Sequence, residues 1–302
     1  MSTNGMSGTS MSGTGDITAG ELNEAAEAAE PARLSKKARH ERIVRELMAS
    51  STLRVSELAA ELGVSTETIR RDLFELAEKG LISRTYGGAV RPLGTEPAVS
   101  ERHRLMVAER EAIAAATVRF IKPNEVVAIG AGATTTHVAR RMAAECRDLT
   151  VITHSFSVAT VLAANPTITV LMCPGRYNGR EGMMVGAETT EFLQSYNANW
   201  AILGASGITA EGLCEAEPAA ASVYKTMMLR AVETIAVADH SKFSQQALAI
   251  WGRWHDVKRL VTDEAPAFAI GRALERARVE VVVAGKRSEP GHRSEPITGG
   301  EP

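Results

Sequence analysis

Apolar residues early in the chain recur at helical spacing, whereas beyond Pro123 they gather into short runs. Val55, Leu58, Ala59 and Leu62 fall at i, i+3, i+4 and i+7, the stripe of a short amphipathic helix. Gly63 stops it, because glycine accepts the backbone twist of a sharp turn. Ser65 stands at an N-cap position, and Ile69, Leu73 and Leu76 give the next helix a face that locks onto the first. Gly80 ends that helix. Residues 81–84 and 89–90 are predicted to pair as a small wing across Tyr86, Gly87 and Gly88. An earlier helix over 36–50 carries the stripe Ile43, Leu47 and Met48.

Residues 91–97, with two prolines and a glycine, read as a linker, and 101–121 as one long connecting helix. After Pro123 the runs 126–129, 150–153, 167–171, 201–203, 234–238, 259–262 and 280–283 have the length of buried strands. Helical stretches such as 136–145, 155–165 and 220–232 lie between most of them. This alternation predicts a mostly parallel α/β sheet.

The chain has 302 residues, room for about two domains. At 44% hydrophobic it has material for a proper core. The tails 1–33 and 286–302 are rich in small, polar and charged residues, a composition that predicts disorder. The expected division is therefore a disordered tail (1–33), a unit of short helices and a wing (34–91), a linker and connecting helix (92–121), an α/β unit (122–285) and a second tail (286–302). Net charge is -2, and Lys and Arg modestly exceed Asp and Glu between Lys36 and Arg91. Three scattered cysteines without a CxxC argue for reduced thiols in a cytoplasm. No apolar run is long enough to span a bilayer, and the N-terminus lacks the order of a secretion signal.

Each half carries a candidate chemistry. The free face of the second short helix shows Thr66, Thr68, Arg70 and Arg71 and no large apolar group near its start. A helix-turn-helix protein needs such a face to enter the major groove of double-stranded DNA. Lys36, Lys37, Arg39 and Arg42 on the preceding helix are candidates for phosphate contact. In the α/β half, ligands bind beyond the carboxyl ends of strands. There Gly130–Thr136 forms a small-residue loop whose amides and hydroxyls can cradle an anion, with Gly132, Thr134, Thr135 and Thr136 as candidates. Asp239 and Lys242 follow another strand, suited to a sugar hydroxyl and a phosphate, and Lys225 lies on a helix that can point back. Residues 204–208, Glu215, Glu217 and the turn 173–176 are further candidates. No HExxH, paired metal spacing, GxSxG elbow, Walker loop or GxGxxG fingerprint is present, so no metal or cofactor is expected.

The stretch VSTETIRRDLFELAEKGLISRTYGGAV resembles the signature of the DeoR family of bacterial transcriptional regulators, and the likeness extends over about 39–284. It implies a winged helix-turn-helix joined to a sensor domain related to ribose-5-phosphate isomerase. It also implies a homo-oligomeric repressor of carbohydrate genes, released by a phosphorylated sugar or related metabolite. Ser65, Thr66, Thr68, Arg70 and Arg71 match its recognition helix, and Arg84, Gly87 and Gly88 its wing, which also offers Tyr86. Gly132, Thr134 and Thr135 match its Gly-Thr-Thr loop, and Asp239, Ser241, Lys242 and Phe243 its Asp-Ser-Ser-Lys-Phe segment. The sensor half departs from the family pattern. Gly130 stands for Asp, His154 for Asn, Pro174-Gly175 for Gly-Gly and Ser222 for Glu, and the nearby lysine is displaced by one. These departures leave open a different effector or a weakened site. Two other readings remain at this stage: a sugar-phosphate isomerase-like enzyme with a DNA-binding appendage, using Glu215, Glu217 or Asp239 as base, and a DNA-bound protein with a dead sensor.

Overall fold

The computed structural model describes residues 34–49, 52–90, 92 and 96–285. The two expected tails and positions 91 and 93–95 of the expected 91–97 linker lie outside these residues. So does the side chain of Met48. Among the described residues no helix is long and apolar enough to cross a membrane.

The N-terminal unit runs α1 (Lys36–Ala49), β1 (Thr52–Arg54), α2 (Val55–Glu61), α3 (Thr66–Glu78), β2 (Ser83–Thr85) and β3 (Gly88–Val90). Ile43, Leu47, Leu58, Leu62, Ile69, Leu73, Leu76 and Ile82 meet in one core, so both predicted stripes face inward. Gly63 (φ 61°) and Gly80 (φ 67°) occupy the left-handed region that the ends of α2 and α3 require. Ser65 caps α3, its Oγ accepting from Thr68 N at 3.1 Å. The wing pairs as expected, Arg84 opposite Ala89, and gains β1 on its far side, Leu53 opposite Ala89. A Cβ at Gly88 would lie 1.8 Å from Leu53 O, so this glycine serves the approach of β1 and not only the turn.

The expected long helix is broken. It divides into α4 (Val99–Arg102) and α5 (Val107–Thr117), with Met106 left-handed at φ 51° and a 3-10 turn, Val118–Phe120, after α5. The cause is Arg110, whose Nη1 donates to the carbonyls of Arg102 and Leu105. Carbonyls satisfied by a side chain need no continuing helix.

The α/β unit comprises β4 (Val126–Ile129), α6 (Ala133–Glu145), β5 (Leu149–Thr153), α7 (Phe156–Leu162), β6 (Ile168–Met172), β7 (Arg176–Asn178), β8 (Met183–Val185) and α8 (Ala187–Gln194). It continues through β9 (Ala198–Leu203), β10 (Gly207–Ile208), β11 (Gly212–Glu215), α9 (Pro218–Leu229), β12 (Ala231–Val237), β13 (Ala249–Arg253), β14 (Arg259–Thr262), α10 (Phe268–Ala277) and β15 (Glu280–Val283). All seven predicted strands form one parallel sheet in the order β15-β14-β12-β9-β4-β5-β6. Alternate residues serve opposite layers. Val127, Ile129 and Ile202 pack with α5, α6 and α7, while Ala128, Ala201 and Leu203 pack with α9 and α10. Trp251 and Trp254 are buried in the second layer.

The chain moves from β4 outward to β5 and β6, then returns to place β9 on the other side of β4. Diverging connections leave a crevice at such a switch point, beyond the strands' carboxyl ends. The β7–β8 hairpin and the antiparallel β10-β11-β13 sheet, neither predicted, contribute residues beside it.

Candidate functional sites: a DNA-reading face and a closed crevice

On α3 the core face and the free face separate cleanly. Ile69, Leu73 and Leu76 are buried, while Thr66, Arg70 and Arg71 are exposed and Thr68 is half-exposed. Arg70 and Arg71 lie 3.8 Å and 3.7 Å from Glu67, loose exposed pairs that leave both guanidinium groups available. Ser65 spends its hydroxyl on the cap and on Thr68. Tyr86 is fully exposed at the wing tip, and Gly87 O accepts from Val55 N at 3.0 Å, tying the tip to α2. Arg84 lies over the Phe74 ring at 5.7 Å, coupling wing to α3. Phe74 is 52% exposed. It puts an aromatic group on the outer side of α3, one turn after Arg70.

The orientation of α3 depends on Asp72, which the sequence did not single out. It is buried and accepts from Arg39 Nε at 2.5 Å, Arg39 Nη2 at 3.0 Å and His40 Nε2 at 2.9 Å. Burial alone would raise its pKa; the bonds from Arg39 and His40 outweigh that and hold it low. Of the four basic residues expected to touch phosphate from α1, Arg39 is thus committed to Asp72. Arg42 pairs with Glu46 and Glu61, and Lys36 with Glu75. Lys37 is exposed and has no ion pair among the described residues.

The crevice is lined by Ala131, Gly132, Ala133, Thr134 and Thr135 after β4, Gly204 and Ala205 after β9, and Arg102, Glu181, Met183, Glu215 and Tyr224. Gly132 (φ 135°) turns the chain into α6, whose first amides have no intrahelical acceptor. The loop is gripped from both sides. His154 Nε2 accepts from Ala131 N at 3.0 Å, and Tyr224 Oη donates to Ala131 O at 2.6 Å. Burial pushes His154 down to about 4, so it is neutral, with Nδ1 donating to Met184 O. A Cβ at Gly130 would stand 2.9 Å from Tyr224, so the tyrosine fills the space that a side chain at 130 would need.

Not every expected residue arrives there. Thr135 and Thr136 turn their hydroxyls back to Gly132 O, so neither offers its proton to a ligand, and Thr136 does not line the crevice. Lys225 is exposed on α9 and points elsewhere; one residue earlier, Tyr224 takes the inward position, because consecutive helical residues diverge by about 100°. Asp239 and Lys242 are buried beside the crevice and already engaged. Asp239 holds Arg110 Nε at 3.0 Å, and Lys242 Nζ holds Glu96 Oε1 at 2.5 Å. Glu96 also meets Arg102 Nη1 at 3.0 Å, and Arg102 Nη2 meets Glu181. Sequence spacing could not reveal this cluster, since its members come from the linker, the hairpin and the β12 loop. The free space left is about 30 Å³, room for a water molecule and far below the size of ligand pockets.

Ser206 Oγ lies 2.7 Å from Glu96 Oε2 and 2.8 Å from Glu215 Oε1. One hydroxyl proton serves one acceptor at a time, so Ser206 is shared between the two carboxyl groups. Burial, and then the Glu96 charge, push Glu215 up to about 7. Against the same burial, Lys242 and Arg102 hold Glu96 ionised, well below the usual range. Ser206 thus stands between an ionised Glu96 and a Glu215 whose Oε1 also accepts from the amides of Ala216 and Glu217. A carboxyl raised from 4.5 to about 7 retains a proton that the unfolded chain loses between those values. Stability from this group thus falls as pH rises through that window, and the full penalty stands above it. Glu215→Gln should gain melting temperature relative to the parent between about pH 5 and about pH 8. Melting curves followed by tryptophan fluorescence check this; a pH-independent difference would contradict it.

Among the described residues one group, His240, Asp263 and Glu264, brings three donor atoms within 4.8 Å of one another. His240 Nδ1 is already hydrogen-bonded to Asp263, a pair complete without an ion.

A family model described as the DeoR C terminal sensor domain matches residues 106–264, and one for the DeoR-like helix-turn-helix domain matches 39–93. The HTH-type transcriptional repressor CsqR of Escherichia coli is 32% identical over 81% of this chain and 94% of its own length. The glycerol-3-phosphate regulon repressor of Haemophilus influenzae is 31% identical over 82% and 97%, and the transcriptional repressor AccR of Agrobacterium fabrum is 31% identical over 82% and 96%. A D-ribose-5-phosphate isomerase in complex with phospho-erythronic acid overlaps 44% of this chain and 52% of its own, at 18% identity and a TM-score of 0.34. The matched segments coincide with the capped α3 and its wing and with the sheet that forms the crevice: the chain belongs to the DeoR family of transcriptional regulators.

Proposed function

We propose that this protein is a homo-oligomeric, cytoplasmic repressor of carbohydrate-metabolism genes. On this reading Thr66, Thr68, Arg70, Arg71 and the wing residues Arg84, Tyr86 and Gly87 grip the operator. A phosphorylated sugar or related metabolite then binds the crevice and lowers DNA affinity. The observation that carries the reading is the bare outer face of α3, with two exposed arginines behind a serine cap. The sensing half draws on the α6 N-terminus, Thr134 and the buried cations Arg102 and Lys242, an anion-seeking set at a switch point. A ligand shifts DNA affinity only by favouring one arrangement of the protein over another. The test is operator affinity measured across a panel of phosphosugars. At least one member should weaken binding about tenfold, within the range of ordinary allosteric coupling. A flat response across the panel would remove the sensing half of the proposal.

The isomerase-like reading gains one observation, a half-buried Glu215 raised to about 7, which is what a general base can look like. Glu215 is, however, committed to Ser206 and to the amides of Ala216 and Glu217. We therefore expect no turnover of pentose or hexose phosphates.

A further inference from the structure

We propose that Glu96 is an internal occupant of the anion site, a carboxylate that an anionic effector must evict, and whose eviction frees the segment leading from the wing. The inference rests on the crevice being the effector site. Glu96 is 6% exposed, and both of its oxygens are used. Oε1 takes Lys242 Nζ; Oε2 takes Arg102 Nη1 and Ser206 Oγ. Two cations and a hydroxyl converging on one carboxylate form the kind of cradle that binds a phosphate or carboxylate ligand. Arg102 keeps one buried donor, Nε, without a partner, so the cradle has capacity that Glu96 does not use.

With only about 30 Å³ free beside it, a phosphate group cannot be added to this cluster and must replace something. Replacing Glu96 exchanges one anion for another, so Lys242 and Arg102 stay paired. A neutral sugar offers no such exchange, because it would leave Lys242 without its carboxylate and Arg102 with Glu181 alone. Eviction is also mechanically placed. Glu96 follows Val90, the last residue of β3, by six positions, so it lies on the covalent tether of the DNA-reading unit. The same segment is pinned a second time at the β7–β8 turn. Arg180 donates to Glu96 O, and Val99 N donates to Arg180 O. Loss of the Glu96 carboxylate contacts leaves those backbone contacts as the remaining hold on the tether.

The test uses the full chain and inorganic phosphate as probe, with calorimetry for affinity and hydrogen–deuterium exchange for the 96–102 segment. An internal competitor lowers apparent affinity by the fraction of protein in the open state. Glu96→Gln should therefore bind phosphate about tenfold tighter or more than the parent. Its 96–102 amides should exchange without phosphate as fast as the parent's do at saturation. Ser206→Ala, which keeps the carboxylate and removes one of its donors, should shift both readouts in the same direction by less, and serves if Glu96→Gln fails to fold. Equal phosphate affinity in parent and variants, or saturation that leaves 96–102 equally protected, overturns the latch while the anion site stands. Absence of phosphate binding in parent and variants alike removes the site and the latch together.

Discussion

Replacing Arg110 with methionine is expected to cost the α/β unit about 3–5 kcal/mol of unfolding free energy, the range for breaking a buried ion pair. Arg110 is 3% exposed and Asp239 0%. The guanidinium donates to Asp239, to Arg102 O and to Leu105 O, so one side chain joins α5, the β12 loop and the break before α5. Methionine conserves much of the volume and leaves Asp239 as a buried carboxylate supported by Ser241 and the more distant Lys242. Two carbonyls also lose their donor. Lysine should rescue only in part, because a single ammonium cannot match three acceptors placed for a planar fork. The double variant Arg110→Met with Asp239→Asn should recover part of the loss by removing both charges. All three tryptophans, Trp200, Trp251 and Trp254, lie in the α/β unit, so urea unfolding by tryptophan fluorescence reads this unit selectively. A loss below about 1 kcal/mol would mean that the pair does not hold these elements together.

Alanine at Arg70 or Arg71 is expected to act on DNA affinity and leave folding nearly untouched. Their side chains are 61% and 80% exposed. Surface changes of this type usually shift stability by less than about 0.5 kcal/mol. An arginine that contacts a base edge is worth about 1–3 kcal/mol, and its loss relaxes sequence preference at one position. An arginine on phosphate lowers affinity for all sequences and reduces the salt slope by about 1. Titrating each variant with operator and with scrambled duplex at two salt concentrations separates the two roles. If neither variant loses affinity, the outer face of α3 is not the reading surface.

Much of this arrangement was legible in the sequence because period and position carry it locally. Strands buried on both faces read as unbroken apolar runs, which is why all seven members of the large sheet were visible. The capped helix was visible because Gly63, Ser65 and the Ile69 stripe lie within one short window. What stayed hidden depends on partners distant in sequence. Strand β1 has three residues and no period of its own; it exists because Gly88 lets Leu53 approach. The break at Met106 follows from the reach of Arg110, and an apolar pattern suited to a helix gave no sign of it. The exposed Phe74 lies off the Ile69, Leu73 and Leu76 stripe, and helical period alone does not say what an apolar residue there meets. The same limit applies to the crevice. Its small-residue loop was readable, but Lys242 meets a carboxylate 146 positions away. Similarly, the choice between Tyr224 and Lys225 rests on helical phase relative to a partner that the sequence does not show.

If the outer face of α3 reads DNA sequence, selection of binding sites from a random duplex library by the full chain should enrich one motif. That motif should weaken or lose definition when Arg70 and Arg71 are both alanine. Recovery of no motif above the starting library, or of the same motif by the double variant, would rule out sequence reading by this face.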